Sequence, residues 1–243
     1  MAKCVQWVAR AALVVGAVVV ARPDLQAAPI LDPAGDLRTF DPANPNSYAG
    51  PATPSLDVLS AEVFLDLITG TLTFTSTMAG PVSALVDSAT NANLGSFSWG
   101  INHGYANNNF AAIGLPGVVF DAVLTLNPNG TGAYRGAATP AGAITVSGNT
   151  LTAVLPIGFL APPPQPANAQ GPLLPIELWA YNLWPRSNVR PDGSIIPFSN
   201  AQIADFAPDA TTFQATTVPE PSSMVLLASG LLAAAARVRL RRA

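Results

Sequence analysis

Cysteine, histidine and lysine are almost missing from this 243-residue chain: Cys4, His103 and Lys3 are each the only residue of their kind. One cysteine cannot build a disulfide framework. One histidine and one cysteine exclude the common zinc sites, which draw three or four ligands from these residues. Charge is also scarce, at 10% of residues against roughly 25% in an ordinary soluble domain. A formal net charge of −3 leaves no basic surface for a phosphate backbone, so a nucleic-acid partner is not expected. Hydrophobic residues, by contrast, make up 49% of the chain, with 24 prolines and 19 glycines.

The apolar residues are concentrated at both ends. Lys3 and Arg10 precede an apolar run, Ala11 to Ala21, and small residues follow at Ala27 and Ala28. This is the order of a secretory signal peptide, predicted over 1–28 as a signal helix and removed by signal peptidase. An eleven-residue helix spans about 16 Å, short of the ~30 Å hydrocarbon core, which disfavours an uncut anchor. Cys4 lies before the apolar run, so cleavage leaves a mature protein without a thiol.

The C-terminus has the reverse order: Val218-Pro219-Glu220-Pro221-Ser222-Ser223, then the apolar Met224 to Ala236, then four arginines, Arg237, Arg239, Arg241 and Arg242. The prolines on either side of Glu220 hold that segment extended. The Leu- and Ala-rich stretch is expected to be a transmembrane helix, with the arginines as a cytoplasmic stop. Residues 218–243 resemble the PEP-CTERM sorting signal of Gram-negative bacteria, in which the Pro-Glu-Pro motif, apolar helix and Arg cluster follow one another. The resemblance implies that Pro219, Glu220 and Pro221 are the recognition motif and that an exosortase, an integral membrane enzyme, removes the signal. It implies an inner-membrane precursor that becomes a cell-surface or extracellular-matrix protein, commonly associated with exopolysaccharide and biofilm. An ordinary tail anchor is the alternative, and thirteen apolar residues are short for one.

Between the ends, the balance of charge changes. Residues 29–218 keep 12 of the 14 acidic residues but only Arg38, Arg135, Arg186 and Arg190 of the 11 basic ones, a formal charge of −8. Residues 29–55, with six prolines, are expected to wrap the surface or stay flexible, and 56–217 to form the folded domain. Alternation predicts a hairpin from 58–68 and 71–75, strands at 96–102, 118–127 and 177–183, a hairpin from 143–146 and 150–155, and a short strand within 210–218. The proline-dense stretch 161–175 reads as a stiff connector. Short strands separated by Gly, Pro and Asn turns argue for an all-β fold, an antiparallel, jelly-roll-like β-sandwich.

Catalytic patterns are weak. His103, at a strand end, can in principle act as a general base, but loop packing is the simpler role. Ser96-Phe97-Ser98-Trp99-Gly100 lacks the first glycine of a nucleophile elbow, and Gly130 to Gly136 does not open a helix as a dinucleotide loop would. Among the strand acids Glu62, Asp66, Asp121 and Glu177, the pair Glu62 and Asp66 would lie about 13 Å apart, too far for a glycosidase pair. Cross-strand pairs keep a secreted hydrolase open as the alternative function. Asp205 and Asp209 can supply oxygens to Ca²⁺, yet they lack the spacing of a known calcium loop, so turn capping is the expected role. No metal or cofactor is assigned. Trp99, Tyr105 and Trp184 are candidate glycan-stacking residues, although core packing suits strand aromatics equally well. The expectation is therefore a non-enzymatic surface or matrix protein with a structural or glycan-binding role.

Overall fold

The computed structural model describes residues 29–37, 47–217 and Gly230. The predicted signal helix, the sorting motif and the arginine cluster lie outside these residues. No helix among the described residues is long and apolar enough to cross a membrane.

Apart from Gly230, the described residues are all-β. In chain order the strands are β1 (Ile30–Leu31), β2 (Val58–Asp66), β3 (Thr71–Met78), β4 (Gly95–Asn102), β5 (Asn108–Phe110), β6 (Leu115–Phe120) and β7 (Ala122–Leu126). There follow β8 (Gly132–Tyr134), β9 (Ala137–Ala138), β10 (Ile144–Ser147), β11 (Thr150–Pro156), β12 (Ala180–Ser187), β13 (Phe213–Gln214) and β14 (Thr216–Thr217). One sheet has the order β1-β2-β3-β11-β10, with β14 also on β2; a second runs β13-β12-β4-β7-β8-β9; β5 and β6 form a small third. Pairing is antiparallel except for β14 on β2.

Alternation decides which residues enter the core. β3 reads intermediate-buried throughout, with Leu72, Phe74 and Met78 inside and threonines outside. The β2–β3 hairpin pairs Val63 with Phe74 and closes from Asp66–Thr71 over Gly70, whose φ of 68° suits a residue without a Cβ. Across the gap between sheets, the Phe74 ring meets Trp99 of β4 at 5.2 Å and Tyr181 of β12 at 5.8 Å, both edge-on. The two large sheets therefore share one core, in which Phe97, Trp99, Ile101, Leu124, Tyr181 and Leu183 face Val63, Leu65, Leu72 and Leu155.

Strand β4 is buried on both faces. Its second face, with the register Trp184 opposite Ser98, is partly covered by a smaller cluster of Phe110, Val118, Trp184, Ile203 and Phe206. Gly100 makes this possible: a Cβ there would lie 2.4 Å from the Trp184 ring.

Three expectations change. The strand expected over 118–127 is broken at Asp121 into β6 and β7, because Asp121 turns its carboxylate to the loop after β4. The strand expected at 177–183 begins later, and Ile176–Leu178 form a 3-10 turn instead. The segment 29–55 is not simply peripheral: Ile30 and Leu31 pair with Ala61 and Ser60 of β2. Tyr48 is buried, its hydroxyl donating to the Pro51 carbonyl at 2.7 Å.

Candidate functional site

The structure buries all three residues considered for glycan stacking. Trp99 lies in the shared core, Trp184 fills the smaller cluster against Phe110 and Phe206, and Tyr105 is 6% exposed. None presents a face to a ligand. Both faces of the second sheet are covered along part of their length, so alternation on β4 and β12 separates two cores rather than a core from solvent.

His103 is fully buried as well. Its Nδ1 pairs with the Asp121 carboxylate, and its Nε2–H donates to the Leu160 carbonyl at 3.2 Å. The Trp179 ring stands edge-on to it at 4.3 Å. Asp121 also accepts the backbone N–H groups of His103 (2.8 Å) and Tyr105 (3.2 Å). A histidine with both ring nitrogens engaged and no solvent access cannot serve as a general base for a substrate. The pair instead anchors the loop after β4, and Leu174 of the proline-rich connector donates to the His103 carbonyl.

A second group of acids is arranged differently. Asp32 follows β1, and Asp36 lies on the turn beyond it; Asp205 and Asp209 sit on the loop that follows β12. One carboxylate oxygen from each lies within 4.8 Å of the other three. Asp32 is 9% exposed, and its Oδ2 is buried with no hydrogen-bond donor. Asp205 is 2% exposed; its Oδ2 accepts the Val58 N–H at 2.8 Å and its Oδ1 the Phe206 N–H at 2.7 Å. Asp36 and Asp209 are exposed. Burial, with Asp205 and Asp209 nearby, pushes the Asp32 carboxyl up to about 8. Burial likewise pushes Asp205 up to about 7, against the pull of its two backbone donors. Asp209 is also raised, by burial and then by Asp36.

Neighbouring groups hold this cluster in place. The Gly35 N–H donates to both oxygens of Asp57, at 2.9 and 3.1 Å, which fixes the turn carrying Asp36. The Asn182 side-chain amide donates to the Pro208 and Thr211 carbonyls, both at 2.7 Å, which fixes the loop carrying Asp209. Asp36, Asp205 and Asp209 line a pocket of about 220 Å³ with Ile113, Leu115 and Phe206. The turn-capping role expected of Asp205 is only part of what it does, since one of its two donors comes from the distant Val58.

A sequence signal for this cluster exists in retrospect. Asp32-Pro33-Ala34-Gly35-Asp36 and Asp205-Phe206-Ala207-Pro208-Asp209 repeat the same spacing of two aspartates across a turn. Neither segment alone carries the density of a calcium loop.

On the uncovered part of the second sheet's outer face, Ser96, Ser98, Thr125 and Arg186 floor a groove beside Phe198 and Gln202. Phe198 is 88% exposed, and the Arg186 guanidinium stands 5.0 Å from its ring centre.

Residues 217–242, most of them outside the described residues, match the family model described as the PEP-CTERM protein-sorting motif. The chain carries a PEP-CTERM sorting motif. The motif marks a secreted or surface protein with a membrane-associated precursor, and it implies processing by an exosortase, a membrane enzyme. It spans Pro219, Glu220 and Pro221 and the arginines from Arg237 to Arg242. No curated protein and no solved structure shows a significant match to the chain.

Proposed function

We propose that this protein is a non-enzymatic structural component of the bacterial cell surface or extracellular matrix, built on a β-sandwich and delivered by its sorting motif. The motif at 217–242 is the observation that carries this reading. The fold agrees with it, because its buried polar groups serve architecture: Asp121 and His103 lock a loop, and Asn182 clamps another. Two of the four strand acids weighed for a hydrolase are taken up elsewhere. Asp121 is buried against His103, and Glu177 sits in a 3-10 turn rather than on a strand.

Intact-mass measurement of membrane and released fractions from the native host tests the reading. Wild-type protein is expected to lose both ends and leave the inner membrane, and Glu220→Ala is expected to retain its tail. A wild-type protein that keeps residues 219–243 in the membrane would show a simple anchor instead.

The Phe198 groove favours a second reading, in which the domain also binds exopolysaccharide. An exposed ring beside a guanidinium and hydroxyl-bearing side chains suits a sugar face and its hydroxyls. Retention on immobilised host polysaccharide, lost in Phe198→Ala, is the expected result. Equal retention of the variant would remove the groove from consideration.

A further inference from the structure

We propose that Asp32, Asp36, Asp205 and Asp209 form a calcium site that fastens the first strand of the domain to its last long loop. The cluster is supplied by two segments roughly 170 residues apart in sequence. Carboxylates carry like charges and repel, so four of them together must either hold protons or share a compensating cation. Among the described residues, no arginine forms an ion pair with any of them. Independently of the clustering, the Asp32 Oδ2 is shut away from water with no donor. A buried carboxylate oxygen normally accepts at least one hydrogen bond. Its carboxylate stands among three others, and a cation is the partner that such a position accommodates.

The spacing admits calcium, and the chemistry favours a hard cation. Calcium takes six to eight oxygen ligands at about 2.3–2.6 Å, so opposite ligands stand roughly 4.6–5.2 Å apart. The carboxylate oxygens here lie within 4.8 Å of one another. Magnesium would draw opposite oxygens to about 4.0–4.2 Å in a strict octahedron. An all-oxygen set without histidine or cysteine disfavours zinc and copper. The backbone donors on Asp205 occupy one lone pair on each oxygen, and each oxygen keeps another for a metal. The adjoining pocket opens beside the exposed Asp36 and Asp209, with room for water ligands.

The consequence is tied to export. Extracellular calcium modules bind at roughly 10⁻⁴ to 10⁻³ M, so a site of this class fills outside the cytoplasm. It would close the domain's two ends on each other only after secretion.

Full-length protein in detergent, stripped with chelator and titrated calorimetrically with CaCl₂, tests the proposal. One equivalent is expected to bind with Kd at or below ~1 mM, with a rise in Tm. Asp36→Asn combined with Asp209→Asn removes two charges from exposed positions, so the fold persists, checked by circular dichroism. This variant is expected to bind at least tenfold more weakly, and MgCl₂ to bind wild type more weakly than CaCl₂. Absence of heat and of a Tm shift up to ~10 mM calcium, well above the range of extracellular modules, would overturn the proposal. So would unchanged binding by the double variant, or magnesium binding as tightly as calcium.

Discussion

Asp121 and Asp32 are both buried aspartates, and the fold treats them in opposite ways. Asp121 receives two backbone N–H groups and an imidazole, so its charge is met inside the protein. Asp32 has an oxygen with no donor and three carboxylates for neighbours. Burying a charge is costly unless it is paired. The Asp121 solution is complete when the chain folds. The Asp32 arrangement leaves a deficit that an external cation can fill. Both acids sit where a loop meets a strand, and the difference between them lies in what their neighbours donate.

The largest test of this contrast removes the paired acid. Asp121→Ala leaves His103 buried without its partner and frees two backbone donors, and should cost ~3–5 kcal/mol of stability. Urea unfolding at neutral pH measures it. A loss below about 1 kcal/mol would mean that the pair is no anchor.

The opposite sign is expected at the unpaired acid. In chelator, above the raised pKa of Asp32, Asp32→Asn should stabilise the protein by ~1–2 kcal/mol, since it removes a repelled buried charge. In calcium at 100 times its Kd, wild type should gain about 2.7 kcal/mol, and the variant should gain little. Thermal melts with and without calcium show whether the two proteins exchange rank.

The smallest effect is in pH dependence. Burial raises the carboxyls of Asp32 and Asp205 to about 8 and about 7, from an ordinary aspartate value of 3.8. A raised acid holds its proton more tightly when folded. Its contribution is therefore fully present below about pH 4 and is lost as pH rises through 7 and 8. Chelated protein should lose stability across this window, and calcium should flatten the loss. Equal pH profiles with and without calcium would contradict the contrast between the two acids.

The sequence made the hairpins readable because alternation of Leu72 and Phe74 with threonines is a local signal. It also carried the sorting motif, since that signal is linear. The break at Asp121 was hidden inside Val118 to Asn127, where every neighbour favours a strand. Asp121 leaves the ladder to meet His103 and the Tyr105 N–H, 16 to 18 residues earlier in the chain. Likewise Trp184 could not be placed from alternation, because the second face of its sheet is covered by Phe110, Ile203 and Phe206, from β5 and the loop after β12. The aspartate cluster was half visible in Asp205 and Asp209. Its other half stands at the start of the domain, in a proline-rich segment that reads as a surface wrap.

The pairing of β14 with β2 bears on how the molecule carries load. β3 occupies one edge of β2, so β1 and β14 share the other, end to end. The chain leaves for its sorting tail directly after Thr217. A load directed along β2 would slide the two parallel strands along each other and strain their hydrogen bonds together. A pull that peeled the strand sideways would break them one at a time. The short β14 thus ties the end of the folded domain, where the sorting motif begins, to the central strand β2.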